Sequence, residues 1–326
     1  MNFKDNKKGI NCEYKSTREA FGEILVEMGN ELPKVVVVSA DLSESTKTLD
    51  FAKKFPERFI EVGVAEQNMA GVATGLALAG KIPFMTSFGV FSPGRNWDQI
   101  RLGVCYNKAN VKIVATHTGL SPSKDGATHE ALEDIALMRV LPNMTVLSPC
   151  DYYETKKIVR AATEIEGPVY IRLGREDTPV LTTSQTKFEL GEPKVLEEGT
   201  RIALVGTGTI LAQGMLAAQE INEKYKKSIK VINVATIKPL KIEKLMNELE
   251  NIEKIVTLEE HQISGGFGSL ICENLLEDAR AKTRQVTRIG MQDCFGESGD
   301  YADLLRKYRL DKEGIKKTLL ELLKGY

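Results

Sequence analysis

Two of the three histidines in this chain bracket one polar loop, Thr116-His117-Thr118-Gly119-Leu120-Ser121-Pro122-Ser123-Lys124-Asp125-Gly126-Ala127-Thr128-His129. Imidazoles move protons near neutral pH, and the hydroxyls and Asp125 add donors and acceptors, so general acid–base work on an oxygen-rich ligand is the chemistry this set suits. A metal site is the rival reading, but no Cys or third His lies close by in sequence. A second cluster, Val62-Gly63-Val64-Ala65-Glu66-Gln67-Asn68-Met69, puts a carboxylate at the start of an apolar, Gly/Ala-rich helix. Its plain reading is an anion offsetting the helix dipole, worth about 0.3–1 kcal/mol. Small residues at Ala70, Gly71, Ala73 and Gly75 would let another helix or a neighbouring chain approach that helix closely. A third set is dispersed: Arg18 at a helix start, Ser45 after a strand, and Arg175 after another. Guanidinium forks suit phosphate oxygens.

Elements must exist to hold these groups. From Ser16 onward, apolar runs rich in β-branched residues alternate with longer segments whose apolar residues recur every three or four positions, which is the α/β rhythm. The pattern predicts strands over 34–39, 59–62, 82–87, 111–116, 144–148 and 169–173. Their near-continuous apolar character suits a parallel sheet covered on both faces. Helices are expected over Thr17–Glu31 with Ser16 as cap, and over 65–79, 96–107, 130–140 and 152–164, the last capped by Asp151. The histidine loop therefore leaves the carboxyl end of a strand, where open α/β sheets bind ligands.

The composition points to two domains, since 326 residues exceed what one compact core usually serves. The expected division is an N-terminal extension (1–15), a first domain (16–177), a linker (178–191) and a smaller α/β domain (192–326). In the second, strands are expected over 202–205, 229–234, 254–258 and 287–289, then a helix-rich tail. Gly206-Thr207-Gly208 reads as a tight strand-to-helix turn and Ser264-Gly265-Gly266-Phe267-Gly268 as close backbone packing at a helix start. With 44 basic against 45 acidic residues and only short basic pairs, no face is offered to nucleic acid or to a membrane. No apolar run approaches the roughly 20 residues of a membrane span, and the polar N-terminus lacks a secretory centre, so a cytoplasmic protein is expected. Five scattered cysteines without a C-x-x-C pair fit single thiols in or near the cores of a reduced protein.

From about Ser16 onward the chain resembles the C-terminal section of transketolases, the pyrimidine-binding domain plus the C-terminal domain. The resemblance rests on Arg18, Ser39-Ala40-Asp41-Leu42 with Ser45, Gly63-Val64-Ala65-Glu66, Phe88 and Phe91, Ala115-Thr116-His117 with Asp125-Gly126-Ala127-Thr128-His129, and Arg175, in family order. It implies thiamine diphosphate as cofactor and transfer of a two-carbon ketol unit between sugar phosphates. Glu66 matches the glutamate that hydrogen-bonds N1′ of the aminopyrimidine. To donate that bond it must hold a proton; burial opposes the anion more strongly than a helix N-terminus favours it, so a dry, proton-holding carboxyl is expected as long as no cation lies nearby. Phe88 and Phe91 match rings that pack on the pyrimidine, and Asp41 an acidic residue near the cofactor and the subunit contact. His117 and His129 match residues that bind sugar oxygens and shuttle protons, Asp125 one that recognises the C2 hydroxyl, and Arg18, Ser45 and Arg175 the sugar-phosphate clamp. Where the family often carries a further aromatic, Ser92-Pro93-Gly94-Arg95 stands instead.

The Gly-Asp-Gly motif followed by Asn, through which such enzymes bind Mg2+ or another divalent cation and the diphosphate, is not in the sequence. The resemblance therefore implies a split enzyme in which a separate N-terminal subunit supplies that site, most simply as an α2β2 heterotetramer. Three alternatives remain: the β subunit of a 2-oxo acid dehydrogenase, which should lack the His117–His129 arrangement; a deoxyxylulose-phosphate-synthase-like fragment, where arginine is expected at position 117; and a non-catalytic subunit keeping the fold.

Overall fold

The computed structural model describes residues 13–226, 228–278 and 284–324. In the first half run strands β1 (Tyr14–Lys15), β2 (Val35–Ser39), β3 (Phe59–Glu61), β4 (Ile82–Phe88), β5 (Lys112–Thr116), β6 (Thr145–Leu147), β7 (Val169–Arg172) and β8 (Thr178–Pro179). The second half adds β9 (Lys194–Glu197), β10 (Ile202–Gly206), β11 (Ile229–Asn233), β12 (Thr236–Lys238), β13 (Lys254–Gln262) and β14 (Gln285–Met291). The seven-stranded sheet has the order β12-β6-β7-β5-β4-β2-β3, and the five-stranded sheet β14-β13-β10-β11-β9. Each is parallel except for one edge strand, β12 against β6 and β9 against β11. The inner strands β2, β5, β10 and β11 are buried along their whole length, as their mainly apolar sequences require when helices cover both faces.

The predicted α/β chain of two mainly parallel sheets is what forms, and most strands lie within a residue or two of expectation. The helix Thr17–Glu31 has the expected bounds, with the Ser16 hydroxyl accepting from the Glu19 N–H, a cap worth about 1 kcal/mol. Asp151 likewise caps Tyr152–Ala162 through the Glu154 N–H.

Four expectations need correction. The helix expected over 96–107 is a three-residue α-turn, Trp97–Gln99, continued by a π-helix, Ile100–Tyr106. It packs so tightly on the helix Glu66–Leu78 that a Cβ on Gly103 would lie 3.0 Å from Thr74 Oγ1. The helix expected over 130–140 shrinks to Asp134–Arg139, because the Ala131 and Leu132 carbonyls are taken by the N–H groups of Gly119 and Gln262. Edge strands β9 and β12 were not foreseen; β12 crosses from the second half of the chain to extend the first sheet, so the sheets are not separate bodies. Cys105 and Cys150 are buried free thiols, but Cys294 is exposed and Cys272 only half-buried, while Cys12 lies outside the described residues. Among the described residues no helix is long and apolar enough to cross a membrane.

Candidate functional site

Strand register brings the first sheet's carboxyl ends together. Phe88, the last residue of β4, pairs with Thr116, the last of β5. His117 follows with φ +57°, a left-handed turn costly for a side chain bearing Cβ. That turn lays its imidazole on the Phe88 ring, with centroids 3.8 Å apart. Phe91 stacks on Phe88 at 5.9 Å with 15° between planes, and His129 meets Phe91 edge-on at 5.5 Å. The two loop histidines and the two phenylalanines thus form one group.

Each histidine is held by the threonine before it: Thr116 Oγ1 lies 2.9 Å from His117 Nδ1, and Thr128 Oγ1 2.9 Å from His129 Nδ1. His117 is buried, and burial first, then the charges of Arg18, Arg175 and His129, lower its pKa to about 3. At neutral pH it is an uncharged imidazole with one ring nitrogen able to donate and the other to accept.

Glu66 opens the helix Glu66–Leu78 and is only 2% exposed, yet it is not without a cation: Arg95 Nη1 stands 3.0 Å from Oε2. The condition attached to the dry, proton-holding carboxyl is therefore not met in this chain. Arg95 also lies over the Phe91 ring, 4.8 Å from its centroid, which links the glutamate to the aromatic and histidine group. Asn96 Nδ2 secures the helix entry by donating to the Glu66 carbonyl and to Ser92 Oγ.

The dispersed polar set also converges. Arg18 donates through Nε to the Arg175 carbonyl at 3.1 Å and through Nη1 to the Ser45 carbonyl at 2.9 Å. Burial, then the Arg175 charge, lowers its pKa. Arg175 Nη1 donates to Pro122 O at 2.7 Å and lies 3.4 Å from Asp125 Oδ2. Both guanidinium groups are near enough for their charge to act on the His117 ring. Asp41 is exposed, with φ +60°, and its N–H donates to Glu61 Oε1, which also accepts from the Gly63 N–H ahead of Glu66. Among the described residues no contact ties Asp41 to the aromatic group. His261 lies apart, buried where the sheets meet, with Nδ1 donating to Gln262 O while Nε2 accepts from the Ala136 N–H.

Sequence reasoning missed Arg95 and the two threonines. The threonines had a signal, the Thr-His pair spelled twice, since a hydroxyl can hold its neighbour's ring. Arg95 had none, being 29 positions from its partner. Among the described residues no group of three or more His, Cys, Asp or Glu side chains could hold a metal ion.

Residues 13–180 match the transketolase pyrimidine-binding domain family and residues 191–315 the transketolase C-terminal domain family. A transketolase C-terminal section of Methanocaldococcus jannaschii is 44% identical over 313 residues, 95% of this chain and 97% of that protein. A 1-deoxy-D-xylulose-5-phosphate synthase of Clostridium perfringens is 35% identical over 317 residues, 97% of this chain but 50% of its own length. Among solved structures, a split-gene transketolase described as an inactive β4 tetramer superposes with a TM-score of 0.84 at 45% identity, covering 95% of this chain and 98% of that one.

Proposed function

Because this chain belongs to the transketolase family through both of its domains, we propose that it is the C-terminal subunit of a split, thiamine-diphosphate-dependent transketolase. It transfers a two-carbon ketol unit between sugar phosphates once an N-terminal partner subunit supplies the diphosphate and divalent-metal site, most simply in an α2β2 complex. The observation that carries this reading is the contact chain Glu66–Arg95–Phe91–His129–Phe88–His117, which joins a buried carboxylate, two flat apolar rings and two imidazoles. The rings and the carboxylate suit an aminopyrimidine, whose faces are apolar and whose edge forms hydrogen bonds.

When bound, thiamine diphosphate supplies an electron sink for breaking and making the carbon–carbon bond. Glu66 would hold the N1′ edge of the pyrimidine, with Arg95, which here contacts both Glu66 and Phe91, displaced from them. Its half-exposed side chain can swing outward. His117, uncharged and fixed at Nδ1 by Thr116, hydrogen-bonds a substrate oxygen; His129, nearer the surface, moves protons to or from another. Arg18 and Arg175 take the phosphate, Ser45 positions Arg18 through its carbonyl, and Asp125 recognises a hydroxyl beside Arg175. This clamp orients the sugar rather than reacting with it. A phosphate between the two guanidiniums also offsets the positive charge that disfavours a proton on His117. Asp41, exposed beyond the end of β2, is assigned to the cofactor side and the subunit contact by the family resemblance.

The test mixes the purified chain with a candidate N-terminal subunit, thiamine diphosphate and a divalent metal, and follows two-carbon transfer from xylulose 5-phosphate. Activity in the mixture and none in this chain alone is expected; turnover without a partner removes the split-enzyme reading. The deoxyxylulose-phosphate synthase relative motivates one control. Replacing the ketose by pyruvate should release no carbon dioxide, and release would transfer the assignment to that chemistry.

A further inference from the structure

The loop that carries both histidines is gripped from outside its own domain. Gly119 turns the chain with φ +68°, and the next N–H, of Leu120, donates to Glu260 Oε1 at 2.6 Å. A Cβ on Gly119 would lie 2.5 Å from that oxygen, so the turn and the carboxylate are fitted to each other. The other oxygen, Oε2, accepts from the Tyr301 hydroxyl at 2.8 Å. Residues just before Tyr301 add a second hold: Ser298 Oγ donates to Lys124 O at 2.7 Å, and Asp300 pairs with Lys124 at 3.1 Å. The turn also sets the clamp, because Ser121 Oγ accepts from the Arg175 N–H at 3.0 Å.

A buried carboxylate is a costly way to close a turn, since losing water disfavours its charge and neutral donors compensate only in part. An amide or a hydroxyl would satisfy one N–H at lower cost. What a carboxylate adds is two acceptor atoms in a fixed plane, here joining the loop to the C-terminal domain.

From this geometry we propose that Glu260, together with Tyr301, is a positioning residue for the site: it fixes the turn at Gly119–Leu120 and so sets where His117 and Arg175 meet the sugar phosphate. The proposal rests on the functional reading above for its substrate but not for its geometry. Glu66, Phe88 and Phe91 lie on other elements, with the two phenylalanines meeting the loop's side chains through the His117 and His129 rings, so the effect of Glu260 falls chiefly on sugar binding.

The experiment compares Glu260→Ala, Glu260→Gln and Tyr301→Phe in the reconstituted complex. Displacing catalytic groups by about 1 Å can cost ~10²-fold, so Glu260→Ala is expected to lower kcat/KM for the sugar phosphate by roughly that factor, with KM raised. Tyr301→Phe, which removes only the hydroxyl, should lower it about 10-fold. Glu260→Gln, keeping an acceptor for Leu120 and a donor for the Tyr301 oxygen, should recover most of the loss. Half-saturation by thiamine diphosphate should stay within twofold throughout. Hydrogen exchange on the uncombined chain supplies an arm that needs no activity: the Leu120 amide should exchange faster in Glu260→Ala and in Tyr301→Phe. An inactive wild-type complex would remove the functional reading and leave this arm to decide. Unchanged exchange at Leu120, a wild-type KM in Glu260→Ala, or equal losses for sugar and cofactor would each overturn the proposal.

Discussion

Among the described residues two buried carboxylates are paired with arginines, and they differ in what the arginine does with the rest of itself. At Asp134 both partners are buried, the aspartate 1% and Arg172 6% exposed, with Nε 2.8 Å from Oδ2. The Tyr170 hydroxyl donates to the same oxygen, and Arg172 Nη2 donates to the Glu260 carbonyl across the domain contact. At Glu66 the carboxylate is as dry, but Arg95 is 50% exposed and its guanidinium contacts Glu66 and the Phe91 face. The first arrangement is closed to solvent, and removing either partner strands a charge. The second is a single contact that water or a ligand can replace. Pairing alone does not tell a structural carboxylate from one available to a ligand; the solvent access of the cation does.

The largest effect that sharpens this comparison should come at the exchangeable site. Glu66→Gln is expected to lower ketol transfer in the reconstituted complex by about 10²–10⁴-fold, the range of a lost proton-transfer partner. Full activity in that variant would end the assignment of Glu66 to the cofactor. Next is the closed network, where Asp134→Ala leaves Arg172 buried without its counter-charge. Urea unfolding of the chain should then show a loss of roughly 3–5 kcal/mol.

A smaller effect tests burial without a paired cation. Burial chiefly raises Glu260 from 4.5 to about 7, against the opposing charge of Arg172 and the Tyr301 and Leu120 hydrogen bonds, and raises Glu259 to about 7 against the Gly268 and Phe267 N–H groups. Between pH 4.5 and 7 the folded chain keeps protons on these groups that the unfolded chain has released. Their contribution to stability therefore falls as pH rises through that window and is level above it. Comparing urea midpoints at pH 5 and 8, Glu260→Gln should remove roughly 1–3 kcal/mol of that slope relative to wild type. An identical slope in the variant would place the titration elsewhere. The smallest effect is Arg95→Ala, which should change urea stability by less than about 1 kcal/mol because the guanidinium is half in water. A loss as large as that of Asp134→Ala would erase the distinction drawn here.

How much of this was legible follows the range of the interactions. The helix Thr17–Glu31 and its Ser16 cap could be read because cap, first turn and apolar stripe lie within one stretch of chain. His117 and Arg175 were placed at strand ends by the α/β rhythm, Phe88 was singled out by the family resemblance, and parallel register then brought Phe88 and His117 together. The π-turns at Ile100–Tyr106 and the strand β12 could not be read, since each depends on a partner from another part of the chain. Arg95 is the sharpest case. Its type and exposure look like a surface charge until the fold sets it beside Glu66.

By itself the sequence determined the alternation of strands and helices, the polar loop at a strand's carboxyl end and the identities of the groups gathered there, because hydrophobic periodicity and residue chemistry are local properties. Only the tertiary structure decided that Glu66 has a cation against it, that burial and nearby guanidiniums keep the His117 ring uncharged, and that Glu260 reaches 140 positions back to hold Leu120. Charge state and loop position depend on what surrounds a side chain in space, and those surroundings come from packing between segments far apart along the chain.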